Sequence, residues 1–89
     1  MDLKTLETAM HAFVASKGWY EPESKRPQTP RNLAVSLVLE ASEVLELYQW
    51  SDAPPDPQAL EGELADVMLY LIQLASITNV NLGQAVMNK

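Results

Sequence analysis

The sequence contains no cysteine, which excludes a disulfide framework and any thiolate chemistry. It is also poor in basic residues: six Lys and Arg stand against twelve Asp and Glu, for a net charge of -6. This balance argues against a binder of nucleic acid polymers, which needs a basic face to displace counterions from phosphates. A nucleotide ligand remains compatible with the charge if a divalent cation lies between protein carboxylates and substrate phosphates.

No stretch of the sequence is apolar for long enough to form a signal peptide or to cross a membrane. We therefore expect a cytoplasmic protein without a membrane partner. The 89 residues suffice for one small domain, yet 47% of them are hydrophobic. A small chain with this much apolar side chain often buries part of it against another copy, so we expect a homo-oligomer.

Two proline clusters, at positions 22–30 and 54–57, separate three long segments that are typical of helices. The first helix is predicted from about Leu3 to Ser16, with Asp2 as its N-cap and Gly18 near its end. Thr29-Pro30 and Asp56-Pro57 each place an N-cap before a proline at the first helical position. These signals predict a second helix to about Trp50 and a third to about Thr78. Asn81 is a candidate cap for a short fourth helix, of which only the start is present.

No segment alternates in the manner of a strand, so the predicted fold is an all-α, small antiparallel bundle of about four helices. The third helix carries an apolar stripe at intervals of three and four residues, which predicts a buried face. The stripe comprises Leu60, Leu64, Val67, Leu71 and Leu74, widened by Met68 and Ala75. The second helix is expected to bury Leu37, Val38, Ala41, Leu45 and Tyr48.

Acidic residues interrupt these apolar helices in a repeated pattern. Glu40 and Glu43 are three residues apart on the second helix, and Glu63 and Asp66 repeat that spacing on the third. Residues at this spacing share one helical face, where like charges repel by roughly 0.2–0.5 kcal/mol per pair. Two antiparallel helices with a short connection can bring the pairs together. Four carboxylates around a pocket form a hard-oxygen site suited to Mg²⁺, with Mn²⁺ possible.

Two aromatic residues are predicted on the same faces as the acids. In a helical projection Trp50 lies almost over Glu43, and Tyr70 lies four residues after Asp66. An aromatic ring beside a metal site can stack on a base or close a pocket.

Spacing by itself does not identify an enzyme, because glutamate pairs are common on solvated helix faces. One alternative is a non-catalytic, dimeric helical interaction module whose acids form a solvated stripe. Another is a di-iron carboxylate bundle, but that class uses Glu-x-x-His motifs and neither acid pair contains a histidine.

Three segments resemble the MazG-like all-α nucleoside triphosphate pyrophosphohydrolases. Residues 39–50 (LEASEVLELYQW) resemble the E-x-x-E helix of that family, and residues 63–71 (ELADVMLYL) resemble its E-L-A-D-V helix. Residues 29–33 (TPRNL) are similar to the P-R-N-L segment of the deoxycytidine-triphosphatase-like branch. The match extends from about Phe13 to the C-terminus.

The resemblance implies hydrolysis of a nucleoside triphosphate, often a deoxynucleotide, to the monophosphate and pyrophosphate, as in nucleotide-pool housecleaning. It implies Mg²⁺ and catalysis at Glu40, Glu43, Glu63 and Asp66, and assembly as a homodimer or homotetramer. Damaged nucleotides and phosphoribosyl-ATP-type compounds are alternative substrates within the family.

The resemblance also implies substrate-binding residues. Trp50 matches a family tryptophan that packs against the base, and Trp19 is a candidate for a second aromatic wall beside Tyr70. Arg31 and Asn32 begin the second helix, where backbone N–H groups and a cation can meet an anion. The candidate phosphate contacts in the preceding loop are Lys17, Lys25 and Arg26.

The sequence departs from the family pattern in two places. Gln28 stands where eukaryotic members have a histidine before the Pro-Arg-Asn segment, which affects the base-recognition pattern. Lys89 matches only the first residue of the family's C-terminal continuation, so we expect residues 1–89 to form a single domain that lacks that tail. His11, the only histidine, is predicted to be structural or exposed.

Overall fold

The computed structural model describes all 89 residues, Met1–Lys89, and contains four helices and no strand. The helices are α1 (Leu3–Ser16), α2 (Pro30–Glu46), α3 (Pro57–Ile77) and α4 (Leu82–Asn88). The predicted all-α fold is therefore confirmed. None of the four helices combines the length and the apolar character that crossing a bilayer requires.

Each helix begins at the residue that the sequence predicts as its N-cap. A side-chain oxygen of each cap accepts a hydrogen bond from a backbone N–H three residues later, which satisfies one of the unpaired donors of the first turn. The donor–acceptor distances are 2.8 Å for Asp2, 3.2 Å for Thr29, 3.1 Å for Asp56 and 3.0 Å for Asn81.

At the C-terminus of α1 the chain reverses and packs back against the last turn of α1. Gly18 has φ 74°, a left-handed conformation that glycine adopts without steric cost. The N–H of Gly18 donates to the carbonyl of Ala15, and the N–H of Trp19 donates to the carbonyl of Val14. These two bonds form a Schellman motif, which orients Trp19 towards the core.

The second helix ends four residues earlier than predicted, at Glu46 rather than Trp50. From Leu47 to Gln49 each backbone N–H donates to the carbonyl three residues before it, so the α-helix tightens into turns. The interpretation that Trp50 continues the helix and lies over Glu43 is therefore wrong.

The short connection 47–56 makes α2 and α3 antiparallel neighbours, and they form the most extensive contact in the chain. The first helix packs on α3. Between α1 and α3 lies a small core of Met10, Val14 and Ile72, against which Leu6 and Trp19 pack. Leu33 of α2 is 1% exposed.

Much of the predicted core is exposed in the single chain. Val38 and Leu45 of α2 are 66% and 72% exposed, and Leu64 and Met68 of α3 are 51% and 38% exposed. Ala41 and Tyr48 are also exposed, so the prediction that these six residues lie in the core of one chain is wrong. The reason is geometric: α1 covers only one side of the α2–α3 pair, and no other element covers the opposite side.

The dimensions of the chain agree with this open side. The radius of gyration is 14.6 Å, whereas a compact domain of this length is expected near about 12 Å.

Candidate metal and nucleotide site

The four acids predicted as metal ligands come together where α2 and α3 face each other. One carboxylate oxygen from each of the four lies within 4.8 Å of the other three. The antiparallel arrangement explains this, because it sets Glu40 at the level of Asp66 and Glu43 at the level of Glu63. We call these four residues the acid cluster.

Two oxygens of the acid cluster, Oε2 of Glu40 and Oε2 of Glu63, are buried and have no hydrogen-bond partner. A buried carboxylate oxygen without a partner is unfavourable, and most buried polar atoms in folded proteins are satisfied. A cation at this point would satisfy both oxygens. Four carboxylates are also the hard-oxygen set that Mg²⁺ and Mn²⁺ prefer, so the residues present fit such an ion.

The mutual repulsion of the acids changes their titration. Burial, a hydrogen bond shared with Glu43 and the charges of Glu43, Asp66 and Glu63 raise the pKa of Glu40 to about 7. The pKa of Glu63 is also raised, first by its hydrogen bond with Glu43, then by burial and by the neighbouring charges. The acid cluster therefore holds an extra proton on Glu40 near neutral pH unless a cation replaces it.

A cavity of about 380 Å³, here named the central cavity, lies beside the acid cluster. Glu40 and Asp66 line one part of it, and side chains of α1, α3 and the 17–29 loop line the rest. Its volume falls within the range of about 300–1,000 Å³ that is usual for small-molecule sites. The lining residues are Leu6, Ala9, Met10, Phe13, Val14, Trp19, Gln28, Glu40, Asp66, Leu69, Tyr70 and Gln73.

Trp19 is held at this cavity by contacts on several sides. The Schellman motif of α1 orients it, the Phe13 ring meets it edge-on at 5.9 Å between centroids, and the Arg26 guanidinium lies 5.4 Å from its ring centroid. An aromatic ring fixed in this way is a suitable wall for a planar base.

A second, basic cavity adjoins the first, because Trp19, Gln28 and Tyr70 line both. Lys25, Arg26 and Arg31 supply its positive charge, and its volume is about 490 Å³. Asn32 also lines it, but its side-chain N–H donates to the carbonyl of Pro27 at 2.9 Å and so holds the loop. We call this cavity the basic groove.

Two predicted substrate-binding residues are not brought to these cavities within one chain. Trp50 lies beyond the end of α2 and is 89% exposed. Lys17 is the C-cap of α1, with its Nζ 5.4 Å from the centroid of the Phe13 ring. Their roles in substrate binding stay predictions.

The geometry of the acid cluster and the two cavities agrees with the similarity of this chain to known proteins. A family model described as the MazG nucleotide pyrophosphohydrolase domain matches residues 28–89. The chain belongs to the MazG nucleotide pyrophosphohydrolase family. Both acid pairs of the MazG domain lie inside the matched region.

Individual relatives agree with this assignment. The dCTP pyrophosphatase 1 of Rattus norvegicus is 42% identical over 90 residues, covering 90% of this chain and 50% of the relative. The Homo sapiens protein of that name is 40% identical with the same coverage. The chain thus spans about half the length of these relatives, and their similarity confirms the predicted branch of the MazG family.

A solved structure agrees with the MazG fold. A pyrophosphatase from Archaeoglobus fulgidus superposes with a TM-score of 0.81 at 31% identity, covering 96% of this chain and 82% of that one.

One polar lining residue of this MazG domain was not predicted from the sequence. Gln73 is 3% exposed and lines the central cavity. A signal for it existed: it is a lone polar residue in the apolar run 67–75, and it lies three residues after Tyr70 and seven after Asp66, on the face of the acids.

The raised pKa of Glu40 predicts an unusual pH dependence for the metal-free MazG domain. The folded-state pKa of about 7 lies above the ordinary glutamate pKa of 4.5, so the folded chain binds more protons than the unfolded chain between these values. The contribution of Glu40 to stability is therefore full below pH 4.5 and is lost as the pH rises through 7, a decrease of about 1–3 kcal/mol once solvent screening is allowed for. Urea unfolding in EDTA at pH 5 and pH 7.5 measures this difference.

Two controls isolate the acid cluster in that measurement. Glu40→Gln is expected to flatten the pH dependence, and saturating Mg²⁺ is expected to restore stability at pH 7.5. A metal-free protein that becomes steadily more stable from pH 5 to pH 7.5 would contradict the prediction.

Proposed function

We propose that this chain is a Mg²⁺-dependent pyrophosphohydrolase that converts a nucleoside triphosphate to the monophosphate and pyrophosphate. The observation that carries the proposal is the acid cluster, with its two unpartnered buried oxygens, at the edge of a cavity of nucleoside size. Without a cation, four carboxylates would repel a triphosphate. Membership in the MazG family supports the same reaction.

Different residues of the chain would bind the metal and the base of the substrate. The acid cluster would hold the metal, and the rings of Trp19 and Tyr70 would form walls on either side of the base. When bound, Mg²⁺ supplies positive charge that offsets the charge of the phosphates and activates water for attack. One carboxylate of the acid cluster, less tightly held by the metal than the others, would orient the attacking water or accept its proton.

The basic groove lies next to this arrangement and would contact phosphate oxygens that point away from the acids. Arg31 is placed there by the start of α2, whose unpaired N–H groups also favour an anion. Lys25 and Arg26 of the loop extend the positive charge.

We further propose that the substrate is a deoxynucleotide and that the role is housecleaning of the nucleotide pool. Support comes from the relatives at 40–42% identity, which are named for dCTP.

The exposed apolar side of α2 and α3 supports a homo-oligomer as the active form. Val38 and Leu45 are seven residues apart and Leu64 and Met68 are four apart, so each pair lies on one helical face. Monomeric proteins rarely expose apolar patches of this kind. A second copy packed here would cover them and would bring its own residues towards the site.

The test is the release of pyrophosphate from a panel of ribo- and deoxynucleoside triphosphates, with Mg²⁺ and with EDTA. We expect pyrophosphate rather than orthophosphate, only with Mg²⁺, and fastest from one or two deoxynucleotides. No release of pyrophosphate from any nucleotide, by protein shown to be folded and oligomeric, would reject the proposal and favour the interaction module.

A further inference from the structure

We propose that Gln73 determines which bases the central cavity accepts, by offering its Oε1 as the acceptor for an exocyclic amino group. Gln28 is the positioning residue that holds the Gln73 amide in this orientation. The inference rests on the proposed function and goes beyond it, because it names the chemical group of the base that is recognised and the residue that recognises it.

The environment of Gln73 leaves one atom of its amide free. Both protons of Nε2 have acceptors: Oε1 of Gln28 at 2.8 Å and the hydroxyl of Tyr20 at 3.2 Å. The Oε1 atom of Gln73 accepts no hydrogen bond within the chain. The fully buried side-chain atoms without a partner are Oε2 of Glu40 and Oε2 of Glu63, so Oε1 of Gln73 keeps some accessible surface. Since Gln73 lines the central cavity and its Oε1 is neither hydrogen-bonded nor fully buried, we infer that Oε1 faces that cavity.

The first constraint on the amide orientation comes through Gln28. The Nε2 of Gln28 donates to the backbone carbonyl of Arg26 at 2.6 Å. A carbonyl can only accept, so the nitrogen of Gln28 must face Arg26 and its Oε1 must face Gln73. The group of Gln73 that meets this oxygen is therefore its NH₂.

The second constraint comes through Tyr20 and is independent of the first. The Ser76 hydroxyl donates to Oε1 of Glu7 at 2.7 Å, so its oxygen accepts from Nε2 of His11, also at 2.7 Å. When the His11 imidazole carries a single proton and donates it through Nε2, its Nδ1 is an acceptor, and the atom that meets Nδ1 is the Tyr20 hydroxyl. The hydroxyl proton of Tyr20 is thus directed to His11, which leaves its oxygen to accept from Gln73.

A fixed carbonyl acceptor in an apolar cavity discriminates between bases. An amino group at the base edge donates to Oε1, whereas a carbonyl at the same position would place two acceptors together and leave both unsatisfied. Among pyrimidines this favours cytosine over uracil and thymine. The cavity therefore selects a base whose edge carries an amino group.

The test compares dCTP with dUTP, which differ at this edge, in the wild type and in Gln73→Leu. We expect the wild type to prefer dCTP in kcat/KM by about 10- to 100-fold, the effect of leaving a buried acceptor unsatisfied. In Gln73→Leu the ratio should fall to near unity, chiefly through a higher KM for dCTP. Gln28→Leu should lower the ratio part-way, because the amide of Gln73 loses one of its two constraints.

The matched control is Gln84→Leu, the same substitution at an exposed residue of α4 that hydrogen-bonds only to its own helix. Its dCTP-to-dUTP ratio should equal that of the wild type. A purely structural role for Gln73 would lower the thermal stability and leave the ratio unchanged, and that result would overturn the inference. A wild type that hydrolyses both nucleotides equally well would also overturn it, while leaving the proposed function intact.

A binding measurement separates the inference from the hydrolytic function. The α,β-methylene analogues of dCTP and dUTP are titrated calorimetrically with Mg²⁺ present. If the wild type hydrolyses no nucleotide but binds the dCTP analogue at least about tenfold more tightly, the proposed function fails and the inference stands. Equal affinity for the two analogues, or no binding of either, would overturn the inference.

Discussion

Replacing Glu43 with glutamine is expected to lower Mg²⁺-dependent pyrophosphate release by more than about 100-fold, since removing groups that merely support metal ligands already costs 10- to 100-fold. The carboxylate of Glu43 lies within the acid cluster and raises the pKa of both Glu40 and Glu63. An amide keeps the size of the side chain but removes the charge that a hard cation requires. Asp66→Asn is expected to act in the same direction.

The stability of this variant distinguishes a lost metal site from a damaged fold. In EDTA, Glu43→Gln should be at least as stable as the wild type, because one of four repelling charges is gone. The stabilisation on adding Mg²⁺ should be smaller than in the wild type. Thermal melts with and without the ion measure both quantities.

The control for this experiment is Glu61→Gln, an exposed acid on α3, the helix of Glu63 and Asp66, that lies outside the acid cluster. Its activity and its response to Mg²⁺ should match the wild type. A folded Glu43→Gln or Asp66→Asn protein with full activity would refute the assignment of the metal ligands.

Replacing Val38 with aspartate is expected to weaken self-association by at least about 100-fold, because burying a Val or Leu side chain contributes about 1.5–3 kcal/mol and a symmetric interface contains it twice. Val38 is 66% exposed in the single chain, so the substitution does not disturb the packing within it. Sedimentation velocity over a range of protein concentrations measures the change. Activity should decrease together with the oligomer if a second copy completes the site.

The matched control is Thr8→Asp, which introduces the same charge at an exposed position of α1. It should sediment like the wild type. A variant Val38→Asp that loses its helical circular dichroism would indicate that the chain folds only as an oligomer, which also requires this face to be buried. A wild type that is monomeric at every concentration would reject the proposed assembly.

The sequence was sufficient to predict the helices because the signals that start and stop a helix are local. Asp2, Thr29, Asp56 and Asn81 each cap a helix through a bond that spans three residues. The end of α2 was missed because no stop signal follows it directly: residues 47–50 (LYQW) continue an apolar pattern while the backbone tightens into turns.

The proximity of the two acid pairs could also be predicted, because it follows from the three-residue spacing within each pair and from a short connection between antiparallel helices. The burial of the apolar residues could not be predicted from the sequence. Periodicity shows which residues share a face, but it does not show whether that face meets another helix of the same chain. Val38 and Leu64 belong to such stripes and are nevertheless exposed.

The sequence by itself determined the family, the four helices and the four acids, since each depends on residues close together along the chain. Tertiary structure alone decided that Gln73 and the apolar side chains of α1 line the central cavity, and how the Gln73 amide is oriented. The reason is that the hydrogen bonds that orient Gln73 join residues 45 and 53 positions apart. Only the packing of α1, the loop and α3 brings these residues within reach of one another.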